Sequence, residues 1–268
     1  MAAELEGAAA VAEFLAGRLR VRVFETGTAL AAQAARDAVS LLQEAIRAHG
    51  RARVIFAAAN SQLDLVAELT SLPGVDWRAV EAFHIDEWVG LPASHPASFR
   101  GWIQRRIVDR VGLRQVHYLA GDAPDLEAEC RRYAALLAEA PIDLSFLGIG
   151  ENAHIGFNDP HEANFTDPLM VRQISLDDRC RRQQADEGHW PDLSSVPRFG
   201  LTLTCPALMA TRRIICCVPD ARKSEAVRNS LEEPISAVYP GSLLRTHSSA
   251  SLYLDRQSAS LLSRGFPC

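Results

Sequence analysis

The sequence predicts a three-layer α/β fold built on a mainly parallel sheet, and three observations support this. Short apolar runs alternate with stretches of helical periodicity along most of the 268 residues, the one-dimensional signature of helices packed on a parallel sheet. Polar, chemistry-bearing residues begin where two of those runs stop, as in open α/β sheets that bind ligands beyond the carboxyl ends of their strands. No repeat, low-complexity block or linker-like change of composition divides the chain, so residues 1–268 are expected to form a single domain.

Residues 19–24 read as the first strand. Val39, Leu42 and Ile46 then recur at helical spacing until Gly50 ends the pattern. Residues 54–59 read as a buried strand, followed by a helix carrying Leu63, Val66 and Leu69, and the turn Pro73-Gly74 closes that unit. The next strand is 80–85, which runs into Asp86-Glu87. Helices through Trp102, Ile103, Ile107 and Val111 and over 126–137 lead to a strand at 142–147. In the last third, 169–176, 201–204, 213–218 and 251–254 are expected as strands, 222–231 as a helix and 191–197 as a surface loop.

Composition narrows the function classes. A hydrophobic content of 48% supports a sizeable core, and a net charge of −5 argues against tracking a nucleic-acid backbone. No stretch approaches the ~20 apolar residues of a membrane span. Glu4, Glu6 and Glu13 at the start do not fit a signal peptide. The expectation is a cytoplasmic protein with a small-molecule partner, no nucleic acid and no membrane; a homo-oligomer is compatible with the sequence. The six cysteines, Cys130, Cys180, Cys205, Cys216, Cys217 and Cys268, lie at no metal-ligand spacing and read as reduced.

Three distant segments carry the candidate chemistry. The first is Phe83-His84-Ile85-Asp86-Glu87-Trp88-Val89-Gly90-Leu91-Pro92 with His95-Pro96 following. The second runs from Asp143 through Gly148-Ile149-Gly150 to His154-Ile155-Gly156-Phe157-Asn158-Asp159-Pro160. The third is Val218-Pro219-Asp220-Ala221-Arg222-Lys223. Together with Val196-Pro197 and 201–204, these segments resemble the glucosamine-6-phosphate deaminase branch of the glucosamine-6-phosphate isomerase/6-phosphogluconolactonase superfamily. The lactonases typically read His-Thr-Ala-Ser where this chain has His154-Ile155-Gly156-Phe157.

The resemblance implies a modified Rossmann-like domain, a sugar-phosphate substrate and acid–base catalysis with no cofactor and no metal. Asp86 matches the base that moves a proton between C2 and C1, a role that partial burial suits by raising a carboxyl pKa. His154 matches the ring-opening group, with Asp159 as its acidic partner. The family's acid two residues before that histidine is Asn152 here, an amide that can hydrogen-bond the imidazole but not stabilise its charge, and Glu151 is a second candidate to compensate. At the phosphate end the family's Gly/Thr-rich loop is Ala57-Ala58-Ala59-Asn60-Ser61, so Asn60 and Ser61 are expected to cap the following helix and donate side-chain hydrogen bonds. Lys223 matches the phosphate lysine. The family's phosphate arginine falls at Gln184, with Arg181 three residues earlier as a substitute. Glu87 is included as a substrate-side acid.

Three other readings have distinct signatures. Lactone hydrolysis would use His154 to activate water and have little use for Asp86. A sugar-phosphate sensor would bind without turnover, a reading that the departures at Asn152 and Gln184 keep open. A metal held by His84, Asp86 and Glu87 would need all three on one side, whereas a strand points Glu87 away from the other two.

Overall fold

The computed structural model describes residues 9–188 and 190–263. In chain order the elements are β1 (Ala12–Ala16), β2 (Leu19–Phe24), α1 (Gly27–His49), β3 (Ala52–Phe56), α2 (Leu63–Ser71), β4 (Val80–His84), β5 (Asp86–Trp88), α3 (Phe99–Ile103) and β6 (Gln115–Val116). They continue with α4 (Leu126–Ala138), β7 (Leu144–Leu147), β8 (Val171–Ser175), α5 (Asp178–Asp186), β9 (Phe199–Leu203), α6 (Cys205–Met209), β10 (Arg213–Val218), α7 (Ser224–Glu232) and β11 (Ala250–Asp255).

Eight strands form the main sheet in the order β1-β2-β11-β10-β7-β3-β4-β6, parallel throughout except for the β1–β2 hairpin. Both faces are covered, so inner strands are apolar on both sides rather than alternating with polar residues. Val54 and Phe56 of β3 pack with Leu30, Ala34 and Leu42 of α1 and Leu65 of α2. Ile55 between them faces the opposite layer, with Tyr133 of α4 and Val227 of α7. This is the expected αβα sandwich.

Several elements differ from expectation. Helix α1 begins twelve residues before Val39, because its buried stripe is alanine (Ala31, Ala34, Ala35, Ala38) rather than large apolar residues. Its start is capped by Thr26, whose hydroxyl accepts from Ala29 N–H, and it ends at Gly50 in the left-handed conformation, φ 70°. The strands expected at 169–176 and 201–204 are β8 and β9, but they lie outside the main sheet. With β5 they form a second, antiparallel sheet in the order β5-β9-β8. The loop at 191–197 contains a short 3-10 turn over Leu193–Ser195 and buries Val196. Cys130, Cys180, Cys205, Cys216 and Cys217 are free and buried, and Cys268 lies outside the described residues. Among the described residues no helix is long and apolar enough to cross a membrane.

The sheet order places a switch point between β3 and β7. From β3 the chain builds outward through β4 and β6, then returns to the other side of β3 with β7 and proceeds to β10 and β11. Loops leaving β3 and β7 therefore diverge and open a crevice at the carboxyl ends. Buried Gln62 holds that mouth, its amide donating to the carbonyls of Leu147 and Cys217 at the ends of β7 and β10, 3.3 Å each.

At the opposite end of the sheet, buried Arg53 ties β3 to the end of α4. Its guanidinium donates to the carbonyls of Leu136, Leu137 and Ala140 and pairs with Glu81 at 3.3 Å. Replacing it with methionine leaves three carbonyls without this donor and removes one of the cations beside Glu81, which keeps His117 at 2.9 Å and Arg51 at 3.8 Å, so Arg53→Met is expected to lower the unfolding free energy in urea by roughly 3–5 kcal/mol, the usual cost of removing one member of a buried ionic network. KM should be unchanged, since the crevice is at the far end.

Candidate functional site

Asp86 and His154 line one cleft, together with Asn60, Ser61, Gln184 and Lys223. Each arrives there for a local reason. After His84 the chain leaves the main sheet, Ile85 C=O accepting from Leu203 N–H at 2.9 Å, and Asp86 opens β5 opposite Thr202 of β9. His84 braces this departure. Its Nε2 accepts from Leu119 N–H at 2.9 Å, so Nδ1 carries the proton and donates to Asp86 C=O at 2.9 Å. Burial holds this imidazole below the ordinary histidine value, in keeping with that neutral tautomer.

The Asp86 carboxyl is 7% exposed, and no cation pairs with it among the described residues. Burial pushes it well above the usual carboxylate range, and the charge of Glu87 adds to the effect. Glu87 itself is turned to the other face of β5 and does not reach the cleft. Its carboxylate accepts from the backbone N–H groups of Trp88, Phe99 and Arg100, from the Ser98 hydroxyl and from the Arg100 side chain, at 2.7–3.3 Å. That carboxylate secures the start of α3, whose first N–H groups lack acceptors of their own. With Glu87 turned away and both His84 nitrogens occupied, the metal set His84/Asp86/Glu87 is not assembled.

His154 is positioned by the turn that follows β7. Gly150 N–H donates to His154 C=O at 2.9 Å, and Ala153 adopts a left-handed φ of 67° to close the turn. A Cβ at Gly150 would sit 2.1 Å from His154 Cε1, so the imidazole lies directly over the glycine. Nδ1 faces fully buried Asp159, 3.1 Å from Oδ1, a close ion-pair distance although the angle is not that of an aligned hydrogen bond. Burial alone would raise the Asp159 carboxyl. The His154 contact and charge, the Asn152 amide and the Asp177 N–H outweigh burial and hold it below its usual range.

Asn152 does not touch the imidazole ring. Its Nδ2 donates to Asp159 Oδ1 at 2.9 Å and to Asp177 Oδ2 at 2.8 Å, while its Oδ1 accepts from the His154 backbone N–H at 3.1 Å. The amide thus bridges two carboxylates, one of which, Asp177, caps α5 through Cys180 N–H at 2.6 Å. Glu151 gives no support to the histidine either: its carboxylate lies 4.0 Å from Arg222.

The far end of the cleft departs from expectation in three places. Arg181 is consumed elsewhere, its buried guanidinium donating to Leu193 C=O, Val196 C=O and Asp178 and so holding the 193–196 turn. Asn60 and Ser61 cap no helix with their side chains. They form instead the first residues of a 3-10 turn facing the cleft, where leading N–H groups have no intrahelical acceptor. Gln184 does line the cleft, as do Gln183 and Glu187, which sequence reading missed. Cys180, Gln183, Gln184 and Glu187 share one face of α5 at helical spacing, a pattern visible only once a helix is assigned there. Lys223 is 5% exposed with no carboxylate at ion-pair distance among the described residues. Burial lowers its pKa, and Glu187 and Glu151 act in the opposite sense.

A cleft at the switch point of a mainly parallel sheet, lined by a buried carboxyl, a carboxylate-backed imidazole and a buried ammonium, defines a class: α/β proteins with a polar cleft at the carboxyl ends of their strands. Residues 25–253 match the glucosamine-6-phosphate isomerases/6-phosphogluconolactonase family, and the chain belongs to that family of enzymes. It is 33% identical over 230 residues to a glucosamine-6-phosphate deaminase of Pseudarthrobacter chlorophenolicus (84% of this chain, 87% of the relative). It is 30% identical over 223 residues to one of Bacillus thuringiensis, 83% of each chain. Among solved structures, a monomeric glucosamine-6-phosphate deaminase superposes with a TM-score of 0.82 at 30% identity, covering 90% of this chain and 99% of that one. A 6-phosphogluconolactonase from Shewanella baltica superposes at 0.73 with 20% identity, over 90% of this chain and 100% of that one, and shares the fold.

Two outcomes follow from this geometry. Gly150→Ala places a methyl 2.1–2.5 Å from three atoms of the His154 ring, so the ring must move aside, and a histidine NMR shift should report the movement. Asp86→Asn removes a carboxyl whose folded pKa is raised. Such a group stabilises the fold fully below its unfolded pKa and loses that contribution as pH rises through the folded value. The variant's melting temperature relative to wild type should therefore rise as pH climbs upward from the ordinary carboxylate range, measured by calorimetry.

Proposed function

We propose that this enzyme converts glucosamine 6-phosphate to fructose 6-phosphate and ammonia by acid–base catalysis on its own side chains. The observation that carries the reading is the convergence of Asp86, with its raised pKa, and Asp159-backed His154 on one cleft. The deaminase relatives at 30–35% identity support it.

With Nδ1 against Asp159, His154 offers Nε2 to the substrate. That nitrogen takes the proton from the anomeric hydroxyl and a proton is returned to the ring oxygen, so the C1–O bond to the ring breaks and the aldehyde forms. Buried Asp159, kept ionised by its hydrogen bonds, stabilises the transient imidazolium. Asp86 then removes the C2 proton to give an enolamine and delivers a proton to C1, leaving an imine at C2. Water adds to that carbon and ammonia departs as the ketone forms, so one water is consumed and one ammonia released. A carboxylate with an elevated pKa suits both halves of the transfer, because it accepts the proton more readily and still releases it. Lys223 and the leading N–H groups of Asn60 and Ser61 receive the phosphate.

Ammonia release from glucosamine 6-phosphate, against glucosamine, the N-acetylated sugar phosphate and 6-phosphogluconolactone, tests the proposal. Turnover is expected on the first alone. Asp86→Asn and His154→Gln should each lower kcat by roughly 10²–10⁴-fold. Lactone hydrolysis that survives loss of Asp86, or binding with no turnover of any of the four, would sink it. Since Asp86 must be ionised to act, kcat/KM should climb with pH through a value well above the ordinary carboxylate range; a profile flat from pH 4.5 to 8 contradicts the role given to Asp86.

A further inference from the structure

The anion end has one buried ammonium, Lys223, and its surroundings are not otherwise positive: Glu187 and Asp220 also line the cleft. Gln184 is uncharged, and Arg181 is fully engaged with the 193–196 turn. A phosphate dianion placed there needs a second cation. Among the described residues, the remaining lysine or arginine on the cleft wall is Arg222.

Its geometry is that of a prepared donor. Asp220 holds a left-handed φ of 89°, and its Oδ1 caps the turn by accepting from Arg222 N–H at 3.0 Å. The other oxygen, Oδ2, takes the Arg222 side chain, Nε at 3.2 Å and Nη2 at 3.1 Å. One edge of the guanidinium fork is thereby filled and oriented. The edge on Nη1 has Glu151 Oε1 at 4.0 Å, beyond hydrogen-bond reach. With 48% of the side chain exposed, that edge can take a bidentate acceptor while the Asp220 pair stays intact.

We propose that Arg222 is a specificity-determining residue of this site, gripping the substrate's phosphate through its open guanidinium edge while Lys223 holds it from the buried side. The inference rests on the sugar-phosphate reading above. The alternative role of Arg222, a surface ion pair with Asp220, would leave ligand affinity unmoved.

Calorimetric titration of the full chain with inorganic phosphate, glucosamine 6-phosphate and glucosamine decides between them. Arg222→Gln should weaken inorganic phosphate and glucosamine 6-phosphate by tenfold or more and glucosamine by less than twofold, with the melting temperature within 2 °C of wild type as a rough allowance for a surface change. Arg131→Gln, which removes an exposed charge on α4, should move none of the three by more than twofold. Unchanged phosphate affinity in Arg222→Gln overturns the inference, and so does an equal loss for all three ligands. A wild-type chain that binds neither phosphate nor the phosphorylated sugar removes it together with the sugar-phosphate reading. Phosphate binding without ammonia release, by contrast, removes only the deamination reaction and leaves the role of Arg222 supported.

Discussion

Two consecutive carboxylates on opposite faces of a three-residue strand set the terms for the whole site. Successive residues of β5 point to opposite sides. Glu87 meets five donors and the start of α3, whereas Asp86 meets the cleft and no cation among the described residues. One acid is therefore solvated by the protein and becomes structural; the other is desolvated, its proton affinity raised by burial and by the charge of its neighbour. Pairing with β9 locks this division, since a slip of one residue would exchange the two faces. The second sheet is what fixes that pairing, and this gives a physical reason for the chain to leave the main sheet at His84.

The histidine is prepared by a different means. Its backbone is set by a turn with an unusual φ at Ala153, its ring by the missing side chain of Gly150, and its partner Asp159 by two donors, the Asn152 amide and the Asp177 N–H, which with the nearby imidazole hold the buried carboxyl below its usual range. Asn152 serves this network through Asp159 and Asp177 rather than through the ring. Because Asp177 also caps α5, the helix that brings Gln183, Gln184 and Glu187 to the cleft starts at the same cluster that orients His154. The His154 end and the Lys223 end of the cleft are thus joined by one helix.

Much of this was legible along the chain. Periodicity located the inner strands, and the polar residues following β4 and β7 marked the crevice, because a parallel sheet collects its loops at one end. Large apolar residues mark a helix in a sequence, and the alanine-rich first half of α1 and the polar α5 lack that mark: alanine contributes little contrast, and the apolar content of α5 is too low to show a stripe. Arg181 and Gln184 illustrate the remaining gap. Three residues apart on one helix, they differ in fate because the 193–196 turn packs against one and the cleft opens beside the other.

The sequence by itself determined the layer order and the buried strands and supplied the side chains able to carry a proton, since these depend on hydrophobic pattern and on residue type. Tertiary structure alone decided which of those groups share the cleft. Asp86 and Glu87 are chemically near-equivalent, as are Arg181 and Arg222 as cations. What separates them is how many donors or acceptors the surrounding fold supplies to each, and that number is set by contacts between segments far apart in the chain.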